Sequence, residues 1–540
     1  MTTPTNPFPS RRTVLASVGA SLLPSRLFAA PAAKTKGIVV GDPTASLVAQ
    51  QIFADGGNVF DAVVAGALAA AMTVPYQFGI GGYGGCATLM AAGCKQVVSV
   101  DFNTIAPDAM RPDIFKADRV KPNTVNTHGW LASGAPGILA GLQHLLDKYG
   151  TLKFEQVVQP AIRLAREGVK VEGALASTIN VSATQFALDA GSKKLYFQNG
   201  KPLKTGDVLK NPDLADMLTT LAKRGSVESF YKGDIAEQIA DCFKKNGGLI
   251  TAKDMAACKA REVKPLEWSS EGMTVHTAPL TAGGLTTLQA LRIVEQFTLK
   301  KLEADVAATQ ARIEALRLAW RDRLKLLGDP EAGKIPVDRL MSKEYAVESA
   351  YVINAILKNK MILMHNVTPR DQPGTISLSG GDDLGNFIAV TISHGDSFGA
   401  RVTVEGLGLT LGHGMSRFDT DPGHPNAPGP GKRPLNNMCP TIVTRDNKPL
   451  LAIGGRGGRK IPNALFEALT QFVILGRTLK QSMAAPRMHT EGTPALTLEK
   501  HWNADEAKEL GKRGYKVTTG ASAILSAVWP ENAGVVGEMR

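Results

Sequence analysis

Gly374-Thr375-Ile376-Ser377-Leu378-Ser379-Gly380-Gly381-Asp382-Asp383-Leu384-Gly385-Asn386-Phe387-Ile388-Ala389-Val390-Thr391-Ile392-Ser393 is the stretch on which the reading of this chain turns. Thr375 to Ser379 alternates, Gly380 to Asn386 has the composition of a turn, and Phe387 to Ser393 alternates again. That period of two around a glycine-rich turn predicts a β-hairpin. Thr375 opens the first strand, and Ser393 lies on the second within cross-strand reach, the register being left open. Just upstream, Pro369-Arg370-Asp371-Gln372-Pro373-Gly374 is rich in turn formers and helix breakers, so the composition changes at Thr375. A threonine at such a junction carries no chemistry by itself.

Working outward, the upstream half is mainly helical. Ser46 to Phe53 and the Ala-rich run Val59 to Met72 predict two helices separated by Gly56-Gly57. Further helices are expected over Gly137 to Tyr149, Lys153 to Glu167, Asn211 to Lys223, Gly233 to Lys245 and about Ala304 to Leu327. The last carries Arg312, Arg317, Arg321 and Arg323, for which a solvated face is expected. Downstream, Pro440 to Val443 and Leu450 to Ile453 read as strands and Ile461 to Leu475 as a helix. Gly79-x-Gly81-x-x-Gly84 formally matches a dinucleotide fingerprint, but it follows a helix and precedes a strand, the reverse of the order that binds pyrophosphate. A tight glycine turn is the better reading.

The chain has 540 residues, 44% apolar and 20% charged, which is globular composition, with a formal net charge of +12. Lysines and arginines are spread singly and aromatics make up 6%, so the basic strip with stacking residues used by nucleic-acid binders is missing. At the N-terminus, Ser10-Arg11-Arg12-Thr13-Val14-Leu15 precedes a short apolar stretch ending in Ala29-Ala30-Pro31-Ala32-Ala33. This predicts a twin-arginine signal peptide over residues 1–33, hence a periplasmic or secreted protein. The apolar run is interrupted by Ser17, Ser21 and Pro24 and falls short of the ~20 residues of a spanning helix, so no stable membrane anchor is expected. The five cysteines, Cys86, Cys94, Cys242, Cys258 and Cys439, show no metal-site spacing. His413, Asp419, Asp421 and His424 lie in a Pro/Gly context without helical spacing, which reads as a solvated loop rather than a metal site.

With these motifs in place, the chain resembles the γ-glutamyltranspeptidase family of proenzymes over nearly its whole mature length. The match rests on Gly56-Gly57-Asn58-x-x-Asp61-Ala62, Gly79-Ile80-Gly81-Gly82, Pro136-Gly137-x-x-Ala140-Gly141 and Tyr149-Gly150-Thr151-Leu152 in the first half. In the second it rests on Gly374-Thr375, Gly431-Lys432-Arg433-Pro434-Leu435, Met438-x-Pro440-Thr441 and Gly454-x-x-Gly457-Gly458. The resemblance implies an α/β fold, the four-layer αββα sandwich of N-terminal nucleophile hydrolases, autoprocessed at the Gly374-Thr375 bond. The large subunit would be residues 34–374 and the small one 375–540, each the other's partner, with no cofactor and no metal. It makes Thr375 the nucleophile, with its freed α-amine, pKa ~8, as base. Ser393 falls where the family usually has a threonine hydrogen-bonded to the nucleophile, and Gly457 and Gly458 match the glycines whose N–H groups form the oxyanion hole.

The chain departs from the family where the γ-glutamyl group would be held. The arginine that meets the α-carboxylate falls on Asn103, and the usual Ser-Ser pair on Asn436-Asn437. The aspartate that meets the α-ammonium falls on Arg417, a charge inversion, and two positions where relatives often carry amides are Gly395 and Gly414. Either Arg417 meets a substrate carboxylate, with His413, Asn436 and Asn437 adding hydrogen bonds, or it turns outward into solvent. The expected activity is hydrolysis of a small carboxylate-bearing amide with water as acceptor. A true γ-glutamyltransferase or glutathione hydrolase, and a non-catalytic envelope binding protein on the same fold, are the rival readings.

Overall fold

The computed structural model describes residues 35–116, 125–298, 306–365, 374–532 and 534–540. The signal-peptide expectation for residues 1–33 therefore lies outside the described residues, as does most of the loop before Gly374.

Twelve strands build two antiparallel sheets. Along the chain they are β1 (Gly37–Val40), β2 (Gly84–Met90), β3 (Val98–Asp101), β4 (Arg261–Val263), β5 (Leu266–Ser270), β6 (Met273–Thr277), β7 (Thr375–Asp382), β8 (Phe387–Ser393), β9 (Thr441–Arg445), β10 (Lys448–Arg456), β11 (Ile524–Glu531) and β12 (Gly534–Met539). The first sheet has the order β1-β7-β8-β2-β3-β4 and the second β12-β11-β10-β9-β6-β5. The predicted hairpin is β7–β8, at the centre of the first sheet, and its register sets Thr375 directly opposite Ser393.

Helices cover both outer faces. α1 (Pro43–Ala54) and α2 (Val59–Thr73) pack on the first sheet, whose Ile376, Leu378, Ile388, Val390 and Ile392 share their core. α3 (Gly284–Val294), α4 (Val306–Leu326) and α5 (Lys460–Leu469) cover the second through Leu288, Leu316 and Leu465 against Val443 and Ile453. Between the sheets lie Met90, Phe387, Ala389, Ile442, Ala452 and Val528. Two inner sheet faces on one apolar layer, each backed by helices, make the expected αββα sandwich.

Two of the sequence motifs explain each other. Asn58 and Asp61 form a capping box at the start of α2, and the buried Asp61 carboxylate also accepts from the Thr151 and Leu152 N–H groups. The helix start and the Tyr149-Gly150-Thr151-Leu152 turn are thus one hydrogen-bonded unit, which satisfies otherwise orphaned donors.

The arginines of α4 are not on a solvated face. Arg317 is fully buried, ion-paired with Glu314 and donating to the carbonyls of Thr493 and Gly492, and Arg323 is 3% exposed. Arg312 pairs with the buried Glu467. Charge periodicity suggested solvent; packing of α4 between α3 and the C-terminal segments overrode it, Arg312, Arg317 and Arg323 gaining carboxylate or carbonyl partners far away in sequence, while Arg321 stays partly exposed and pairs with the adjacent Asp322. All five cysteines are free, Cys86 buried on β2 and Cys94 exposed. Among the described residues no helix is long and apolar enough to cross a membrane.

Candidate active site

Thr375 sits at the first position of β7, 5% exposed, with its side chain on the face turned to the second sheet, as are those of Ser377 and Ser379. Its Oγ1 lies 3.0 Å from Ser393 Oγ across the hairpin. Ser393 Oγ in turn donates to the Gly374 carbonyl oxygen at 2.6 Å and accepts from the Gly395 N–H at 2.8 Å. A serine hydroxyl has one proton, and here the carbonyl takes it, so the bond between the two hydroxyls has Thr375 as donor. The Gly395 N–H also reaches the Gly374 oxygen, at 3.3 Å. The carbonyl preceding Thr375 is therefore held by two donors.

Gly395 has φ +98°, and a Cβ there would lie 2.2 Å from His413 Cδ2, so only glycine fits. Gly457 and Gly458 follow β10, with φ +132° and +61°, and precede α5. The sheets approach closely before this pair: a Cβ on Gly454 would be 2.3 Å from Ser377 Oγ, while Gly381 lies against Val528 further along. β10 therefore runs past Ser377 in the direction of Thr375, and the glycine pair follows its end.

Arg417 turns inward. Its Nη2 donates to the Gly395 carbonyl at 2.8 Å, and its guanidinium lies over the Tyr83 ring, 5.8 Å from the centroid. Burial lowers its pKa, and the neighbouring Tyr83 and Asp396 act the other way. Tyr83 is 2% exposed; burial raises its pKa, and the neighbouring Arg417 acts the other way. His413 is buried with Nδ1 against the Thr127 carbonyl at 3.0 Å, so the proton sits on Nδ1, and burial beside Arg417 pulls its pKa to about 3. It is a neutral wall of the site.

Asn103, Asn436 and Asn437 come together in a second cluster, tied within the chain. Asn103 Nδ2 donates to Thr281 Oγ1 and to the Pro434 carbonyl, and Asn436 Oδ1 accepts from the Met438 N–H. Arg323 donates to the Asn436 carbonyl and Asn437 Oδ1. These amides brace the loop entering β9, and they connect to the surroundings of Thr375 through Arg323, which feels the charges of Arg417 and Tyr83.

The family model for gamma-glutamyltranspeptidase matches residues 45–539. The chain is 36% identical over 507 residues to the glutathione hydrolase proenzyme of Escherichia coli K12, covering 90% of this chain and 87% of that one.

The chain belongs to the gamma-glutamyltranspeptidase family.

It is also 30% identical to the acylase ACY 1 proenzyme of Pseudomonas sp. SE83, across 90% of this chain and 88% of that one. Among solved structures it resembles a cephalosporin acylase from Bacillus halodurans, with TM-score 0.83, 26% identity and coverage of 96% and 97%. The protein is thus an N-terminal nucleophile amidohydrolase or acyltransferase of this family. In this family member, two parts of the site were missed from sequence. Tyr83 interrupts the glycine run Gly79 to Gly85, and that lone aromatic was the available signal. The Gly395 N–H is backbone and left none. The space beside Gly395 is filled here by the His413 side chain, and that beside Gly414 by the Thr104 and Tyr83 side chains.

Proposed function

We propose that this protein is exported by its twin-arginine leader, cleaves itself between Gly374 and Thr375, and then hydrolyses a small carboxylate-bearing amide through an acyl-Thr375 intermediate. The observation that carries the reading is the hydrogen-bonded set of Thr375 Oγ1, Ser393 Oγ and the Gly374 carbonyl. In self-cleavage, Thr375 Oγ1 loses its proton and bonds to the Gly374 carbonyl carbon. The Gly374 C–N bond then breaks, the Thr375 nitrogen takes up the proton, and water hydrolyses the resulting ester. The new α-amine is the base that serves the hydroxyl in each later turnover. A substrate amide carbonyl then meets Thr375 Oγ1, its oxyanion facing the Gly457 and Gly458 N–H groups rather than the donors that held the Gly374 oxygen.

The substrate class follows from charge. An α-ammonium placed beside Arg417 would meet a like charge in a partly buried site, which is costly, whereas a carboxylate gains a charge-assisted bond. This favours an amide whose acyl part ends in a carboxylate over a γ-glutamyl donor. Intact mass and N-terminal analysis of wild type beside Thr375→Ala tests the first claim: wild type yields a fragment beginning at Thr375 and the variant stays whole. An uncut wild type removes the nucleophile assignment. Anilides of a dicarboxylic acid and of γ-glutamate, offered side by side, test the second, with faster release expected from the first. Preferential release from γ-glutamyl-p-nitroanilide returns the protein to the glutathione hydrolase reading.

A further inference from the structure

We propose that Arg417 is a positioning residue for self-cleavage: it clamps Gly395, whose N–H, with Ser393 Oγ, receives the negative charge that develops on the Gly374 oxygen. This rests on the self-cleavage reading above and adds to it a residue whose charge was first considered only for substrate.

A glycine N–H is by itself a weak oxyanion donor. A backbone N–H stabilises a developing charge only if it is already aimed, and glycine has the widest conformational freedom of any residue. Gly395, at φ +98°, is nevertheless pinned on both sides by one short segment. On its N-terminal side, the carbonyl of His394, in the same peptide plane as the Gly395 N–H, accepts from the His413 N–H at 2.9 Å. On its C-terminal side, the Gly395 carbonyl accepts from Arg417 Nη2 at 2.8 Å. His413 and Arg417 bracket the 3₁₀ turn Gly414–Arg417, so one rigid turn holds both peptide planes of Gly395.

Arg417 is itself fixed. The Tyr83 ring lies under its guanidinium, and the Arg417 carbonyl accepts from Asn426 Nδ2 at 2.8 Å. A planar cation stacked on an aromatic ring holds one fork direction, which a lysine would not. The bond to the Gly395 carbonyl also places positive charge on the residue whose own N–H meets the scissile oxygen, so its field favours the oxyanion. Maturation and substrate choice then share one side chain. A substitution at residue 417 that alters the acyl preference also slows formation of the enzyme.

The test is a time course of precursor conversion after cell-free synthesis of the full chain, for wild type, Arg417→Lys, Arg417→Ala and Tyr83→Leu. Arg417→Ala is expected to cleave at least about tenfold more slowly than wild type, a fraction of the effect of deleting an oxyanion donor outright. Arg417→Lys and Tyr83→Leu should fall in between. Low-millimolar guanidinium chloride should accelerate Arg417→Ala, and sodium chloride at equal strength should not. Melting of Thr375→Ala with and without Arg417→Ala reports folding of the uncut chain separately. Cleavage of Arg417→Ala within about threefold of wild type, too little for any part in aiming an oxyanion donor, overturns the proposal. So does slow cleavage that guanidinium leaves unchanged, since that marks a merely structural role. Failure of the wild type to cleave would instead remove the self-cleavage reading on which the proposal stands.

Discussion

Replacing Ser393 by alanine should nearly stop self-cleavage while leaving the precursor folded. Ser393 Oγ donates to the Gly374 oxygen at 2.6 Å and accepts from Thr375 Oγ1 at 3.0 Å, so the change removes one of two oxyanion donors and the nucleophile's acceptor. The donor is worth ~3 kcal/mol in the transition state and the acceptor ~1 kcal/mol. Part of this returns, because the Gly395 N–H, relieved of Ser393, can shorten its 3.3 Å contact to the same oxygen. The net loss corresponds to a rate about 10²–10³-fold lower at 1.36 kcal/mol per decade. Little stability is lost, because that N–H keeps an acceptor and only one hydroxyl leaves a well-packed position. Precursor and fragments can be followed by denaturing gel and intact mass after cell-free synthesis, with melting of the Thr375→Ala background as the folding control. Ser393→Thr keeps the hydroxyl and should cleave within about threefold of wild type, as a retained donor requires. Cleavage of Ser393→Ala at the wild-type rate would refute the assignment of Ser393 as donor to the scissile carbonyl.

Two further outcomes concern stability. Arg317→Met strands Glu314, whose carboxyl burial already raises in pKa and Arg317 lowers, and it also leaves the Thr493 and Gly492 carbonyls without this donor. Removal of one member of a fully buried pair costs about 3–5 kcal/mol, so thermal melting should drop clearly, and Glu314→Gln in the same chain should recover part of it; unchanged melting would show that the pair is not needed. His394 and His413, both held near pKa 3 by burial, give an acid-sensitive fold. Their folded pKa lies below the unfolded value near 6.5, so their contribution is complete above that pH and is lost as pH falls toward 3, at up to about 1.4 kcal/mol per unit for each. His413→Asn should flatten the decline of stability between roughly pH 6.5 and 4 in denaturant titrations, since only the wild-type unfolded chain takes up that proton there. An identical slope in the variant would contradict burial of a neutral His413.

What the amino-acid sequence determined by itself is local and periodic. The alternation around Gly380 to Asn386 specified the hairpin, the Ala-rich run from Val59 after Gly56-Gly57 specified α2, and the glycine turns marked where backbones approach. These signals are legible because strand and helix periods and glycine turns act over a few neighbouring residues. Even the functional hydroxyls were within reach, since Thr375 and Ser393 belong to one hairpin. Tertiary structure decided the rest. The inward turn of Arg417 depends on a ring at position 83 and a carbonyl at 395, and the burial of Arg317 on carbonyls at 492 and 493. Asn103 is spent on Thr281 and Pro434 for the same reason. A charged or amide side chain goes wherever its desolvation is best compensated, and the compensating groups here come from parts of the chain that only the packed sandwich brings together.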